Sequence, residues 1–444
     1  MTKVLTFASI LLFLPLSLFA QQKQTITLEE AIQIAIDNNF QLQQARNNVQ
    51  LSEFRKTSAM AEFLPNLSAN ANRNVNIGRQ FDDNTGDFGD FTINSFSAGL
   101  SSNMTIFNSF ANINGLRAAR SENLQLEEEL KRVKEDIIFQ TATRYLQYLL
   151  DVELLEISRE NLETSLRQLE QIEAQVEVGA RPSVDLLNQE SIVANNELAI
   201  VNRENALNSS RLQIIQTLQI DPLVDYEFIL PDLDDENIIP LEYSLQDLVS
   251  VALDNRSDLR SEQYRLEVLE RNLQITRANQ YPSISLSGSI SSRWSDTNPL
   301  SFEDQFTDQN VSRNFGVSIT VPIFNRLNVR ENVQASRINL KNATLALENT
   351  RLNVVQEVNQ ALNDYNARIK ELESTERALR AAERAFETEN QRYDIGASTL
   401  IELSQANNAF VEAQSNRVQA VYNFIFQSRL LDYYLGQLDE NLQF

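Results

Sequence analysis

Apolar positions along this 444-residue chain follow three rhythms: one unbroken run, four windows of strict alternation, and two long stretches with recurrence every three or four residues. The unbroken run spans Val4 to Phe19, follows the single early charge of Lys3, contains Pro15, and ends at Ala20 before Gln21-Gln22. This pattern predicts a secretory signal peptide over 1–20, short for a membrane span, with the mature chain starting near Gln21. No later stretch is apolar for long enough to form a transmembrane helix, so a membrane crossing would have to use strands.

The long stretches contain neither glycine nor proline between Gly115 and Gly179, and again between Pro322 and Gly396. Both are rich in Glu, Arg, Leu, Gln and Ala, so each predicts a helix of over sixty residues, about 100 Å long at ~1.5 Å per residue. Val358, Leu362, Tyr365, Ile369, Leu372, Leu379, Phe386 and Tyr393 follow steps of four and three, as do Leu403, Ala406, Phe410, Ala413, Ala420, Phe424, Leu431 and Tyr434. Seven-residue spacing of this kind predicts two helices paired antiparallel about Gly396. Small alanines in the seam suit close packing of many helices into a wall, and a plain two-helix coiled coil would show the same spacing.

In the alternating windows, Leu67, Ala69, Ala71, Val75 and Ile77 interleave with asparagines and a serine, and Phe96, Ala98, Leu100, Met104 and Ile106 with Ser, Gly, Asn and Thr. Ile284, Leu286 and Ile290, then Phe315, Val317, Ile319 and Val321, repeat the arrangement. One oily face and one uncharged polar face over about ten residues matches a tilted bilayer crossing, and Trp294, Phe107 and Phe324 are placed as an interfacial girdle. A soluble antiparallel sheet alternates in the same way, so the surrounding elements must decide. Polar loops are expected at Gly78–Asp90 and Ser295–Asn310. Four strands cannot close a barrel, and an open edge in lipid leaves backbone groups unpaired, so copies must combine into eight strands or twelve.

The whole arrangement occurs twice. Thr27 and Ser244, Pro65 and Pro282, Ile106-Phe107-Asn108 and Ile323-Phe324-Asn325, and Gly179-Ala180 and Gly396-Ala397 are each separated by 217 positions. A constant offset marks a duplicated unit. The predicted domains are a first repeat over 21–220 (strand pair about 66–107, hairpin tip about 178–185) and a second over 244–444 (strand pair about 283–323, tip about 393–402). A Pro- and Asp-rich linker at 221–243, with Pro231, Asp232, Asp234, Asp235 and Pro240, joins them.

Composition narrows the chemistry. Cysteine and histidine are both absent, which removes disulfides, the usual zinc sites, thiol nucleophiles and Ser-His-Asp triads. With three methionines and neither of those residues, nothing supports metal ligation, and no cofactor is implied. The formal charge of -23 has the wrong sign for nucleic acid. Acidic runs such as Glu127-Glu128-Glu129 and Asp234-Asp235 are of the kind found on solvated faces and linkers, and no spacing singles out a catalytic pair.

Export signal, duplicated halves, one strand pair in each and long hairpins with glycine tips together resemble the TolC-like outer-membrane efflux family. The most specific segments are Val178-Gly179-Ala180-Arg181-Pro182-Ser183-Val184-Asp185 and Tyr393-Asp394-Ile395-Gly396-Ala397-Ser398-Thr399-Leu400. The resemblance implies a mostly α fold with a small membrane β part: a homotrimer in the bacterial outer membrane, pooling four strands per chain into a 12-stranded β-barrel above a periplasmic α-barrel. It implies a passive conduit, not an enzyme, that meets outer-membrane lipid and docks a periplasmic adaptor protein and an inner-membrane pump. The docking tips would be Gly179, Ala180, Gly396 and Ala397.

The resemblance also places Asp185 and Tyr393 at the periplasmic gate and Glu402 in an acidic ring at the entrance. Ser398 stands where some members carry a gating arginine, and Gln405 where some carry a second ring carboxylate, which leaves Arg181 as the candidate replacement cation. Helix capping is the plainer role for these groups, with Gly179 and Gly396 as stops and Ser183 and Asp185 as N-terminal cap or first-turn groups. A secreted coiled-coil stalk or adhesin is the alternative to the channel, but it leaves the alternating strands and equal halves without an explanation.

Overall fold

The computed structural model describes residues 24–82, 86–229 and 241–438. The predicted signal peptide and the linker residues Pro231 to Pro240 lie outside them. The first repeat contains β1 (Gln24–Ile26), α1 (Leu28–Asn38), α2 (Phe40–Ala61), β2 (Asn66–Asp82), β3 (Asp87–Phe107), α3 (Ala111–Glu177) and α4 (Ser183–Leu218). After β4 (Tyr226–Phe228), the second contains α5 (Leu245–Asn255), α6 (Ser257–Ala278), β5 (Ser283–Ser295), β6 (Ser312–Thr320), α7 (Asn328–Asp394) and α8 (Leu400–Tyr434). No helix among the described residues is long and apolar enough to cross a membrane.

The duplication is visible in the backbone. Both α3 and α7 have 67 residues, and the non-glycine left-handed pairs Ser109-Phe110 and Arg326-Leu327, which turn each strand pair into its long helix, sit 217 positions apart. So do the tip glycines Gly179 and Gly396, both at φ 75°. Each hairpin tip closes with paired reverse bonds, Ala180 N to Gln175 O (2.8 Å) with Gly179 N to Val176 O (2.9 Å), and Ala397 N to Arg392 O (2.8 Å) with Gly396 N to Tyr393 O (3.0 Å). This arrangement satisfies carbonyls orphaned at the helix end and needs a left-handed residue, which glycine adopts without penalty.

The seam expected between α7 and α8 is present. Val358, Leu362, Tyr365, Leu403, Ala413, Ala420, Phe424 and Leu431 are buried, and Phe386 stacks on Phe410 at 5.6 Å. A larger core gathers α1, α3, α4 and α8 around the parallel β1–β4 pair. There the fully buried Tyr145 Oη lies 2.6 Å from the Ile229 carbonyl and 3.0 Å from that of Ile26, tying the start of the chain to the segment after the first repeat.

All four long strands form one antiparallel sheet in the order β2-β3-β5-β6. The β2–β3 hairpin runs further than expected: pairing continues from Gly78↔Phe91 to Asp82↔Asp87, so most of the predicted Gly78–Asp90 loop is strand. Its Asp, Asn and Gly residues resemble turn chemistry, but cross-strand contacts such as Phe81 on Phe88 (5.1 Å) hold the ladder together beyond the apolar band. The Ser295–Asn310 connection carries a short π-helix at Asp304–Gln309, and β6 ends at Thr320, short of the expected 323, because Pro322 offers no donor to the ladder.

Gly436, at φ 66°, is the counterpart of Gln219 (φ 53°) but is packed harder: a Cβ there would lie 3.1 Å from the Asn255 carbonyl carbon, whereas one on Gly396 meets open space. Replacing either glycine with alanine places a Cβ in a left-handed position, which costs about 1–2 kcal/mol. Gly436→Ala adds a backbone clash, so thermal dissociation of the assembled protein should begin at a lower temperature for Gly436→Ala than for Gly396→Ala. Equal midpoints would contradict the packing account.

Candidate functional site

Directly paired residues in a sheet share a face, so the register alone defines the two surfaces of the β wall. On one, the rows are Asn66–Asn103–Ser287–Gly316, Ser68–Ser101–Ser289–Asn314, Asn70–Gly99–Ser291–Ser312 and Asn74–Ser95–Ser295. The row Asn72–Ser97–Arg293 adds one cation to this face, and its other members are small, uncharged Ser, Asn and Gly. The opposite face carries Ala69–Leu100–Ile290, Met104–Leu286–Val317 and Phe107–Ile284–Ile319, exposed Leu67 and Phe315 extend it, and two cations stand toward its aromatic end, Arg313 beside Ile290 and Arg73 beside Phe96.

Aromatic residues bracket the apolar face. Phe96, Trp294, Phe302 and Phe306 cluster at one end, with Phe302 stacked on Phe306 at 5.2 Å, and Phe107 meets Phe110 edge-on at 5.5 Å at the other. Phe96 and Phe107 are eleven residues apart on β3. That spacing gives about 36 Å along the strand and about 28 Å of height at a tilt of ~40°, close to the ~25 Å lipid-facing band of outer-membrane barrels. The apolar face therefore meets lipid and the Ser/Asn face lines the lumen. Among the described residues, β2 and β6 have one sheet neighbour each, so the wall is open at two edges.

At the far end of the helices, the two hairpin tips pack together. Ile172 of α3, Tyr393 of α7, and Leu400 and Leu403 of α8 form a buried cluster, with Val176, Leu186 and Phe386 against it. Above this cluster, the structure brings together three of the sequence-predicted residues. The Arg181 guanidinium sits 4.1 Å over the Tyr393 ring, Arg181 Nη1 lies 3.6 Å from Asp185 Oδ2, and Arg181 Nε donates to Gln175 Oε1. Tyr393 is 2% exposed, and its hydroxyl oxygen has no hydrogen-bond partner among the described residues. Burial pushes the Tyr393 phenol above its ordinary value; Arg181 pulls it down, and Asp185 and Asp394 add to the rise.

Glu402 does not join that group. It forms a reciprocal cap with Thr399: the Glu402 N–H donates to Thr399 Oγ1 (3.3 Å), and Glu402 Oε2 accepts from Thr399 N (2.9 Å). Ser398 Oγ donates to Glu389 Oε1 and also lies 3.2 Å from Glu402 Oε2. The spacing of Thr399 and Glu402 is the S/T-x-x-E signature of such a cap, a signal legible in the sequence alone. Asp185 occupies the first turn of α4 behind Pro182, and neither Ser183 nor Asp185 caps that helix. Gly179-Ala180 and Gly396-Ala397 form the outermost turns.

A lumen face, a lipid face, two unpaired sheet edges and helices of about 100 Å define a subunit of an outer-membrane channel continued by a periplasmic tunnel. A family model described as outer membrane efflux protein matches residues 31–218 and 248–437, one block per repeat, and the chain belongs to that family. It is 23% identical to outer membrane protein TolC of Escherichia coli (strain K12), over 97% of this chain and 86% of that protein. It is 25% identical to the solvent efflux pump outer membrane protein SrpC of Pseudomonas putida, over 94% of this chain and 83% of that one. Among solved structures, the Campylobacter jejuni CmeC outer membrane channel superposes with a TM-score of 0.81 at 18% identity, covering 94% of this chain and 87% of that one.

The cap at the second tip makes a pH-dependent contribution. Hydrogen bonds from the Thr399 backbone and hydroxyl, then from Ser398, hold the Glu402 carboxyl below its ordinary 4.5. Its folded form therefore favours the charge: the contribution is complete above 4.5 and disappears as pH falls through the lowered folded value. Hydrogen-exchange protection of the 400–403 amides, corrected for intrinsic rate, should decline through that acid range in the natural protein and stay flat in Glu402→Gln. Thr399→Ala should weaken the same turn by about 1 kcal/mol at neutral pH.

Proposed function

We propose that three copies of this chain pool their sheets into a 12-stranded barrel and their hairpins into an α-barrel. The product is a passive conduit from periplasm to exterior, which works with a periplasmic adaptor protein and an inner-membrane pump. The observation that carries this reading is the pair of open edges on a wall whose lumenal rows are polar across all four strands. In this scheme, residues 1–20 direct export, and the turns at Gly179-Ala180 and Gly396-Ala397 meet the adaptor. The chain supplies a path and hydrolyses nothing, and the pump supplies the energy.

The closed entrance is held at the tips. Arg181 belongs to the first hairpin and Tyr393 to the second, so their contact bridges the two. Moving the α7–α8 hairpin away from α3–α4 to widen the entrance separates that pair, while Asp185 keeps the guanidinium aimed. Arg181 thus takes the part left open by Ser398. Glu402, through its cap, fixes the start of α8 and presents a carboxylate at the entrance rim.

Single-channel conductance in planar bilayers tests this. A cation–π contact is worth about 0.5–2 kcal/mol, so Arg181→Gln should shift occupancy toward wide conductance states roughly two- to thirtyfold. Tyr393→Phe, which keeps the ring and removes only the unpartnered hydroxyl, should leave the closed state intact. Unchanged conductance in Arg181→Gln, or opening in Tyr393→Phe, would remove this contact from the gate.

A further inference from the structure

The base of the β wall holds a second feature, unrelated to the conduit. Where β3 turns into α3 and α6 leads into β5, a cavity of about 500 Å³ is bounded by Phe110, Tyr281, Val333 and three arginines, Arg277, Arg330 and Arg337. None of the three forms an ion pair among the described residues, and Arg337 is satisfied only by a 3.3 Å bond to Gln334. In a chain with a formal charge of -23, these three arginines make the cavity wall locally positive. Glu331 shares the first turn of α7, but its side chain is not part of the cavity wall.

Position identifies what such a cavity would meet. Phe110 lines it and packs edge-on against Phe107, which belongs to the lipid-facing row with Ile284 and Ile319, so the cavity opens on the outer side of the wall. Tyr281 marks the lower edge of the apolar band, one residue before Pro282 and the start of β5. Arg277 lies four residues earlier on α6, about 6 Å further into the periplasm at ~1.5 Å per residue. The headgroup layer on one side of a bilayer is about 5–7 Å deep, so Arg277 and Arg330 sit at the level of the lipid phosphates. Arg330 and Arg337, seven positions apart on α7, point along the same helix face, and guanidinium is well matched to phosphate oxygens.

The duplication supplies an internal comparison. At the 217-position offset, Arg277 corresponds to Met60, Arg330 to Ile113 and Arg337 to Arg120. The first repeat presents exposed apolar side chains where the second presents two of its cations, so the charge is not a requirement of the shared strand-to-helix junction.

We propose that this cavity binds the phosphate of an anionic glycerophospholipid from the periplasmic leaflet, with Tyr281 and Phe110 against the upper acyl chains. Native mass spectrometry of the delipidated, assembled protein titrated with phosphatidylglycerol or phosphatidylcholine tests it. The natural protein should hold phosphatidylglycerol roughly thirtyfold more tightly than phosphatidylcholine, at about 1 kcal/mol for each of Arg277 and Arg330. R277Q/R330Q should lose that preference, R277K/R330K should keep most of it, and R384Q, which removes a distant exposed charge, should match the natural protein. If the glutamine pair fails to assemble, the lysine pair and R337Q carry the comparison. A preference that survives in R277Q/R330Q, an unselective natural protein, or complete displacement of the lipid by equimolar inorganic phosphate would each overturn the proposal.

Discussion

Backbone hydrogen bonding in hydrocarbon is the constraint on which the rest of this molecule depends. Each N–H or C=O without a partner in lipid costs several kcal/mol, and the four-stranded sheet leaves two full edges in that position, on β2 and on β6. The strands alternate in direction across the sheet, so β6 of one copy can continue into β2 of the next without breaking the antiparallel order. Closure by further copies satisfies both edges and at the same time turns the Ser/Asn face inward. Pore polarity and oligomerisation are thus two results of one accounting of donors and acceptors.

The helical part inherits its geometry from that closure. The helices flanking the strands stand in the strand order, with α2 beside α3, α3 beside α6 and α6 beside α7, so the wall continues from sheet to helices without rearrangement. The change of direction is confined to two left-handed residues per repeat, Ser109-Phe110 and Arg326-Leu327. At the other end, four helices converge on one apolar cluster around Ile172, Tyr393, Leu400 and Leu403, and the Arg181–Asp185 pair sits directly above it. Packing therefore makes the two tips one unit, and the Arg181–Tyr393 contact crosses between the two hairpins.

Much of this is legible in the sequence, and the reasons are specific. The offset of 217 predicts that α3 and α7 match, and they match in length to the residue. Alternation located all four strands because both faces are constrained, one by lipid and one by water. It failed to end β2 and start β3, since a hairpin standing in water beyond the apolar band obeys no such alternation, and Asp82, Asp87, Gly89 and Asp90 resemble turn residues although they pair. The three-residue β1–β4 ladder and the π-helix are too short to leave a periodic signal. At the tips, the family resemblance points to Arg181, Asp185 and Tyr393 but not to their contact, which crosses between hairpins and depends on tertiary packing.

The most direct measurement of the central claim is site-resolved amide hydrogen exchange on the assembled protein in lipid nanodiscs, comparing the outer strands β2 and β6 with the inner strands β3 and β5 within the apolar band. A sealed wall predicts that Leu67–Val75 and Ser312–Thr320 exchange as slowly as their inner neighbours. Rapid exchange confined to the outward-pointing amides of β2 and β6, in protein that has inserted stably as single copies, would contradict it.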